Sequence, residues 1–176
     1  SEFVNQLAIA ITTVVFNRSA LLFAGEDGVA AVSIIMYLQF LCIGIYFGFS
    51  MGLSTPLGYA YGDRNFSVCR VLEKYAYRFF AIAPIILYGC TYLLAPIGVR
   101  FFASPGSTVF DMAVSGLRLY GLGFLFSGIN IFAAIRMMTY GKGYISGMIT
   151  FLRSFALLLL FLTVLPRFLE LNGIWL

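Results

Sequence analysis

The side chains in this sequence with chemical capacity are hydrophilic groups set singly into long apolar runs. Glu2, Gln6, Thr13 and Asn17 lie along the first of these runs, which extends from Phe3 to Phe23. On a helix turning about 100° per residue they fall within about 60° of one another, with Asn5 and Thr12 beside them. A carboxylate, two amides and a hydroxyl on one face make a poor lipid surface and a lining for a cavity. Glu2, if enclosed there, can exchange a proton or hold a monovalent cation. If it sits at the membrane interface, it does neither.

The later runs repeat the pattern. Gln39, Tyr46 and Ser50 share one helical face, while Gly44, Gly48 and Gly52 form a small-xxx-small row that permits close helix packing. Tyr120, Gly123, Ser127, Asn130 and Ala134 fall within about 80° of each other, and Arg136 points the opposite way. Arg136 therefore reads as a residue that snorkels to the membrane surface. Arg153 interrupts a run well inside it, on the face of Ser146 and Thr150, where an arginine either pins helices or serves function. The expected cavity set is Glu2, Gln6, Thr13, Asn17, Gln39, Tyr46, Ser127, Asn130 and Arg153. Removing Arg153 is expected to do more harm than removing Arg136.

Other chemistries lack their parts. Without histidine there is no Ser-His-Asp or Cys-His constellation and no HExxH metal site. Cys42, Cys69 and Cys90 are odd in number and widely spaced, which suits small buried hydrophobes better than a disulfide or metal. An intramembrane enzyme would need a nucleophile with its base, or a metal ligand set, and neither is present. The expectation is a protein that is not an enzyme and carries no cofactor or metal.

The elements that must position these groups follow from composition. Of 176 residues, 61% are hydrophobic and 10% charged, and the mean hydropathy is +0.97. So few charges cannot cover a water-facing exterior, since a soluble domain carries roughly 25%. The expected fold is an all-α, polytopic membrane helix bundle. Apolar runs lie near 3–23, 29–61, 79–99, 117–140 and 143–166, each near the roughly 20 residues a spanning helix needs. Helices are expected over 3–23, 29–61, 66–99, 107–140 and 143–168, five complete spans, with the start of a sixth at 171–176. Both ends of the sequence fall in apolar stretches, as in a piece of a longer chain.

The net charge of +4 does not point to nucleic acid, because the basic residues sit between apolar runs as topology determinants do. Arg64, Arg70, Lys74, Arg78, Arg136 and Lys142 fall on one side of the membrane, and Arg18, Arg100, Arg118 and Arg167 on the other. The richer side is expected to be cytoplasmic.

The stretch Gly48-Phe49-Ser50-Met51-Gly52-Leu53-Ser54-Thr55-Pro56-Leu57-Gly58-Tyr59-Ala60-Tyr61-Gly62-Asp63-Arg64-Asn65 carries a glycine-rich helix end, P-x-x-G-Y-x-Y-G and x-x-N. It resembles the close of the eighth helix in the multidrug and toxic compound extrusion (MATE) family. Ser1-Glu2-Phe3 and Phe16-Asn17 are similar to the seventh helix, Leu117 to Ala133 to the tenth, Ser146 to Arg153 to the eleventh, and Asn172-Gly173-Ile174-Trp175 to the entry of the twelfth. The resemblance implies residues 1–176 are the carboxy-terminal lobe of a twelve-helix, two-lobe exporter in the inner or plasma membrane. Its partners would be the amino-terminal lobe, membrane lipid and a small organic cation, held by aromatics such as Phe16, Tyr37, Tyr46 and Tyr120. It implies antiport by alternating access, coupled to a proton or sodium ion, with Glu2 matching a seventh-helix cation-site glutamate. The tenth helix departs from that pattern, offering Ser127 and Asn130 where some members carry an aspartate. The rival within the superfamily is a flippase of lipid-linked substrates, whose cavity would need several arginines where this sequence offers Arg153 and Arg136.

Overall fold

Helix α1 (Glu2–Gly62) is one run of helical hydrogen bonds folded back at Gly25, whose φ of 64° and ψ of −151° are open to glycine and strained for other residues. Reversal brings Gly28 against the preceding arm: a Cβ there would lie 2.8 Å from the Ala20 carbonyl oxygen. The remaining elements are α2 (Phe66–Arg100), α3 (Thr108–Tyr120), a 3-10 turn (Gly121–Gly123), α4 (Phe124–Thr139) and α5 (Gly143–Phe151). The structure, a computed structural model, describes residues 2–152, without the side chains of residues 2–9, 12 and 23. The end of the expected fifth span, Arg153 and the expected sixth span lie outside the described residues.

Local chemistry sets the breaks. Asn65 caps α2 by accepting from the Val68 N–H, and Ser107 caps α3 by accepting from the Phe110 N–H. Gly106 and Gly141 take positive φ in the turns before α3 and α5. Among the described residues, three helical stretches are long and apolar enough to cross a membrane: Ala24–Gly62, Phe66–Arg100 and Thr108–Thr139. The first has 39 residues, or about 58 Å at about 1.5 Å each, well beyond a hydrocarbon core of about 30 Å. Tilt or projection past the bilayer takes up the difference.

Three apolar layers fill the bundle. Phe16, Ala20, Ile34 and Ile35 of α1 meet Ala95, Val99, Val114 and Leu117 near the Gly25 turn. Tyr46, Phe80, Phe124, Ile131 and Phe132 make the middle layer, and Leu57, Ala60 and Cys69 the far one. In the middle layer Phe80 lies 5.4 Å from Phe132 and 5.9 Å from Tyr46, ring centre to ring centre. Large apolar side chains remain bare outside, with Phe40 77% and Leu93 74% exposed. In water that surface would aggregate; in a bilayer it is solvated.

Pro96 lacks the N–H that would otherwise bond the Tyr92 carbonyl one turn earlier. Arg118 replaces it, donating from Nε to that carbonyl at 3.3 Å and laying its guanidinium over the Tyr92 ring, 4.7 Å from the centre.

Candidate functional site

Polar groups of the first arm of α1 approach the bundle about halfway along it. Thr13 and Asn17 are half-buried. Among the described residues, Asn17 Oδ1 is shut off from solvent with no hydrogen-bond partner, a costly state for an amide among apolar groups. Beside it, Phe16 meets Tyr120 edge-on at 6.4 Å. The Tyr120 hydroxyl lies within reach of the Gln39 amide. Tyr120 ends α3 at the Gly121–Gly123 turn, where α-helical geometry lapses before α4. Gln39 lies 15 residues past Ala24 and Tyr120 12 past Thr108, so both are about 20 Å down their spans at about 1.5 Å per residue. Phe16, Tyr120 and Gln39 thus join an aromatic face, a phenol and an amide at the depth of hydrocarbon, beside a break in regular helix, with the Asn17 amide next to Phe16 in the chain. Such a set can hold an amphipathic cation through aromatic contact and amide oxygens.

Other residues of the expected cavity set fall elsewhere. Tyr46 is fully buried in the middle layer and donates its hydroxyl to the Phe124 carbonyl at 3.1 Å. It is a packing residue, and the face it shares with Ser50 is turned into the core; Ser50 Oγ is likewise buried without a partner among the described residues. Ser127 gives its hydroxyl to the Gly123 carbonyl of its own turn at 2.7 Å, as serines in membrane helices commonly do. Asn130 is half-buried on α4. Tyr37, one of the aromatic candidates, is 64% exposed and stacks on Phe102. Glu2 and Gln6 lie on the first turns of α1, and their side chains are outside those described; Arg153 lies outside the described residues altogether. Among the described residues, nothing lies within 4 Å of where a Cβ on Gly44, Gly48 or Gly52 would be. Cys90 is exposed, against the expectation of burial, while Cys69 is buried and Cys42 half-buried.

Arg136 does not snorkel freely. It donates from Nε to Glu73 Oε1 and from Nη1 to the Tyr77 hydroxyl at 3.1 Å, while the Tyr140 hydroxyl donates to the same Glu73 oxygen. Burial, and then the bond to Glu73, push the Tyr140 hydroxyl up to about 12, so it stays a donor at physiological pH. Tyr61 packs on Tyr140 with ring centres 4.4 Å apart. The cluster ties together α1, α2 and α4 at the end opposite Gly25. Sequence reading missed Glu73, although Cys69, Glu73, Ala76 and Phe80 follow helical spacing on one stripe. Three of those four are buried, and that spacing was the available signal.

The MatE family model matches residues 3–165. This chain belongs to the MatE family. Solved structures agree on the fold. An outward-facing multidrug resistance MATE family transporter of the MOP superfamily is 23% identical, with a TM-score of 0.86 over 97% of this chain and 39% of that one. An inward-facing one is 22% identical, at 0.88 over 98% and 40%. A MOP superfamily transporter from Pyrococcus furiosus, described as having a binding pocket of reverse polarity that suggests a different function, is 22% identical, at 0.87 over 97% and 39%. This MatE chain therefore spans about two fifths of the length of those transporters. No curated protein matches it.

Proposed function

We propose that this MatE chain is one lobe of a membrane transporter that exports cationic amphipathic molecules by alternating access, driven by entry of a proton or sodium ion. One observation carries the reading. The same packed lobe superimposes on an inward-facing and an outward-facing relative almost equally well, with TM-scores of 0.88 and 0.86. A lobe that rocks as a body and opens its cleft to alternate sides would match both relatives in this way, and that supports the reading.

The polar junction supplies the binding chemistry. Asn17 offers an amide oxygen with no hydrogen-bond partner among the described residues; its chain neighbour Phe16 packs on Tyr120, whose hydroxyl reaches Gln39. On the same helical stripe, Glu2, Gln6 and Thr13 lead from the chain's first residues toward it. A cation entering that stripe biases the open-in and open-out states by its differential affinity for them, and Glu2 is the titratable group able to supply it. The lipid-linked rival is weakened because Arg136, one of the two arginines its cavity would draw on, is already paired with Glu73.

The test uses the full-length transporter in proteoliposomes loaded with a fluorescent organic cation, under an imposed proton or sodium gradient. Glu2→Gln should abolish gradient-driven efflux while the folded protein is recovered in normal yield. Efflux at the unaltered rate would remove Glu2 from coupling.

A further inference from the structure

We infer that the outer face of α2, at the end where the Glu73–Arg136 pair lies, is a binding groove for the headgroup of an anionic phospholipid. Arg70, Lys74 and Arg78 recur every four residues, so they stand above one another on a single face, and all three are exposed. With Glu73, Tyr77 and Ala81 they line an open cavity of about 460 Å³.

Electrostatics favour an anion there. Glu73, the carboxylate that lines the cavity, is engaged by Arg136. None of the three other cations has an acidic partner among the described residues; Arg70 Nε reaches no further than the Phe66 carbonyl of its own helix, at 3.3 Å. The groove thus holds three unneutralised positive charges.

What lies directly beyond them selects a lipid over a soluble anion. One turn deeper on the same side of α2 come Ile82 and Ile85, 60% and 65% exposed. They belong to a helix apolar and long enough to span the bilayer. A cationic rung giving way within one turn to bare aliphatic surface matches a molecule with an anionic head and acyl chains. Tyr77 stands at the boundary, where the amphipathic tyrosine ring is favoured. The basic residues at this end outnumber those at the other, which puts the groove at the cytoplasmic leaflet, where anionic lipids attract such clusters. This inference does not depend on which substrate is exported.

Native mass spectrometry of the full-length transporter, titrated with phosphatidylglycerol or phosphatidylcholine, tests it. Phosphatidylglycerol should bind in preference, and the triple variant Arg70→Gln, Lys74→Gln, Arg78→Gln should bind it on the order of a hundredfold more weakly, from about 1 kcal/mol for each charge at the surface. Phosphatidylcholine binding should not change. Arg18→Gln with Arg100→Gln, which removes two exposed cations near the opposite end, should leave the preference intact. If the triple variant fails to fold, Lys74→Gln alone should still cost several-fold. Equal binding of the two lipids would overturn the inference, as would an unaffected triple variant. Displacement of phosphatidylglycerol by glycerol 1-phosphate at matching concentration would also overturn it, making the groove a site for soluble phosphate.

Discussion

Gly128→Ala should loosen the middle of the bundle. The added Cβ would lie 2.8 Å from Phe80 Cδ1, 3.1 Å from Phe80 Cε1 and 3.2 Å from Tyr46 Cδ1. Ordinary carbon contacts sit at about 3.5–4.0 Å, so the nearest ring atom must retreat by about 1 Å. Phe80 has little room to do so. It is 5% exposed and hemmed in by Phe49 at 5.6 Å, Phe79 at 5.1 Å and Phe132 at 5.4 Å between ring centres. Tyr46 is pinned as well, through its bond to Phe124. Overpacking of this kind costs typically about 1–3 kcal/mol, against which alanine recovers about 0.5–1 kcal/mol of helix propensity. The net expectation is a loss of about 1–2 kcal/mol. Gly123→Ala is the internal control, because nothing among the described residues lies within 4 Å of its Cβ position. The assay is equilibrium unfolding of the full-length protein in mixed detergent micelles. Equal stability of the two variants would refute the claim that α4 touches α1 and α2 through Gly128.

The other outcomes concern polar contacts between helices. In a double-mutant cycle, Glu73→Gln and Arg136→Gln should each destabilise, with a coupling of about 1–3 kcal/mol because the pair is half-buried at 15% and 27% exposure; a coupling near zero would make it a surface pair of no consequence. Arg118→Gln should cost about 1 kcal/mol in the natural sequence and clearly less in a Pro96→Ala background, where the restored N–H can serve the Tyr92 carbonyl. Additive effects in the same unfolding assay would contradict that substitution of partners.

Much of the architecture was legible because apolar length and glycine position are local signals. The all-α membrane bundle follows from the apolar runs, and the reversal at Gly25 falls in Gly25-Glu26-Asp27-Gly28, the charged glycine turn between two such runs. The polar faces were less readable. Helical periodicity groups Gln39 with Tyr46 and Ser50, but it cannot tell a core from a cleft when lipid, protein and cavity can all lie around one helix. Tyr46 shows the difference, since its hydroxyl is satisfied by a carbonyl 78 residues away. Arg136 fails for the same reason: its partner Glu73 lies 63 residues earlier, and a long-range ion pair leaves no trace in the spacing of either helix alone. The 3-10 turn at Gly121–Gly123 was likewise hidden within a run that reads as one continuous helix.

The account rests on the first arm of α1 presenting its polar stripe to an aqueous, substrate-accessible cleft, and accessibility of that stripe is the most direct measurement of it. In the full-length transporter with Cys42, Cys69 and Cys90 replaced by serine or alanine, Thr13→Cys, Asn17→Cys and, as a lipid-facing reference, Leu93→Cys should be exposed to a membrane-impermeant thiol reagent. The account predicts rapid modification at position 13 and slower modification at position 17, where the Asn17 amide oxygen is shielded within the lobe, both slowed further by an excess of transported organic cation, and none at position 93. Failure of positions 13 and 17 to react, or reaction indifferent to the cation, would contradict it.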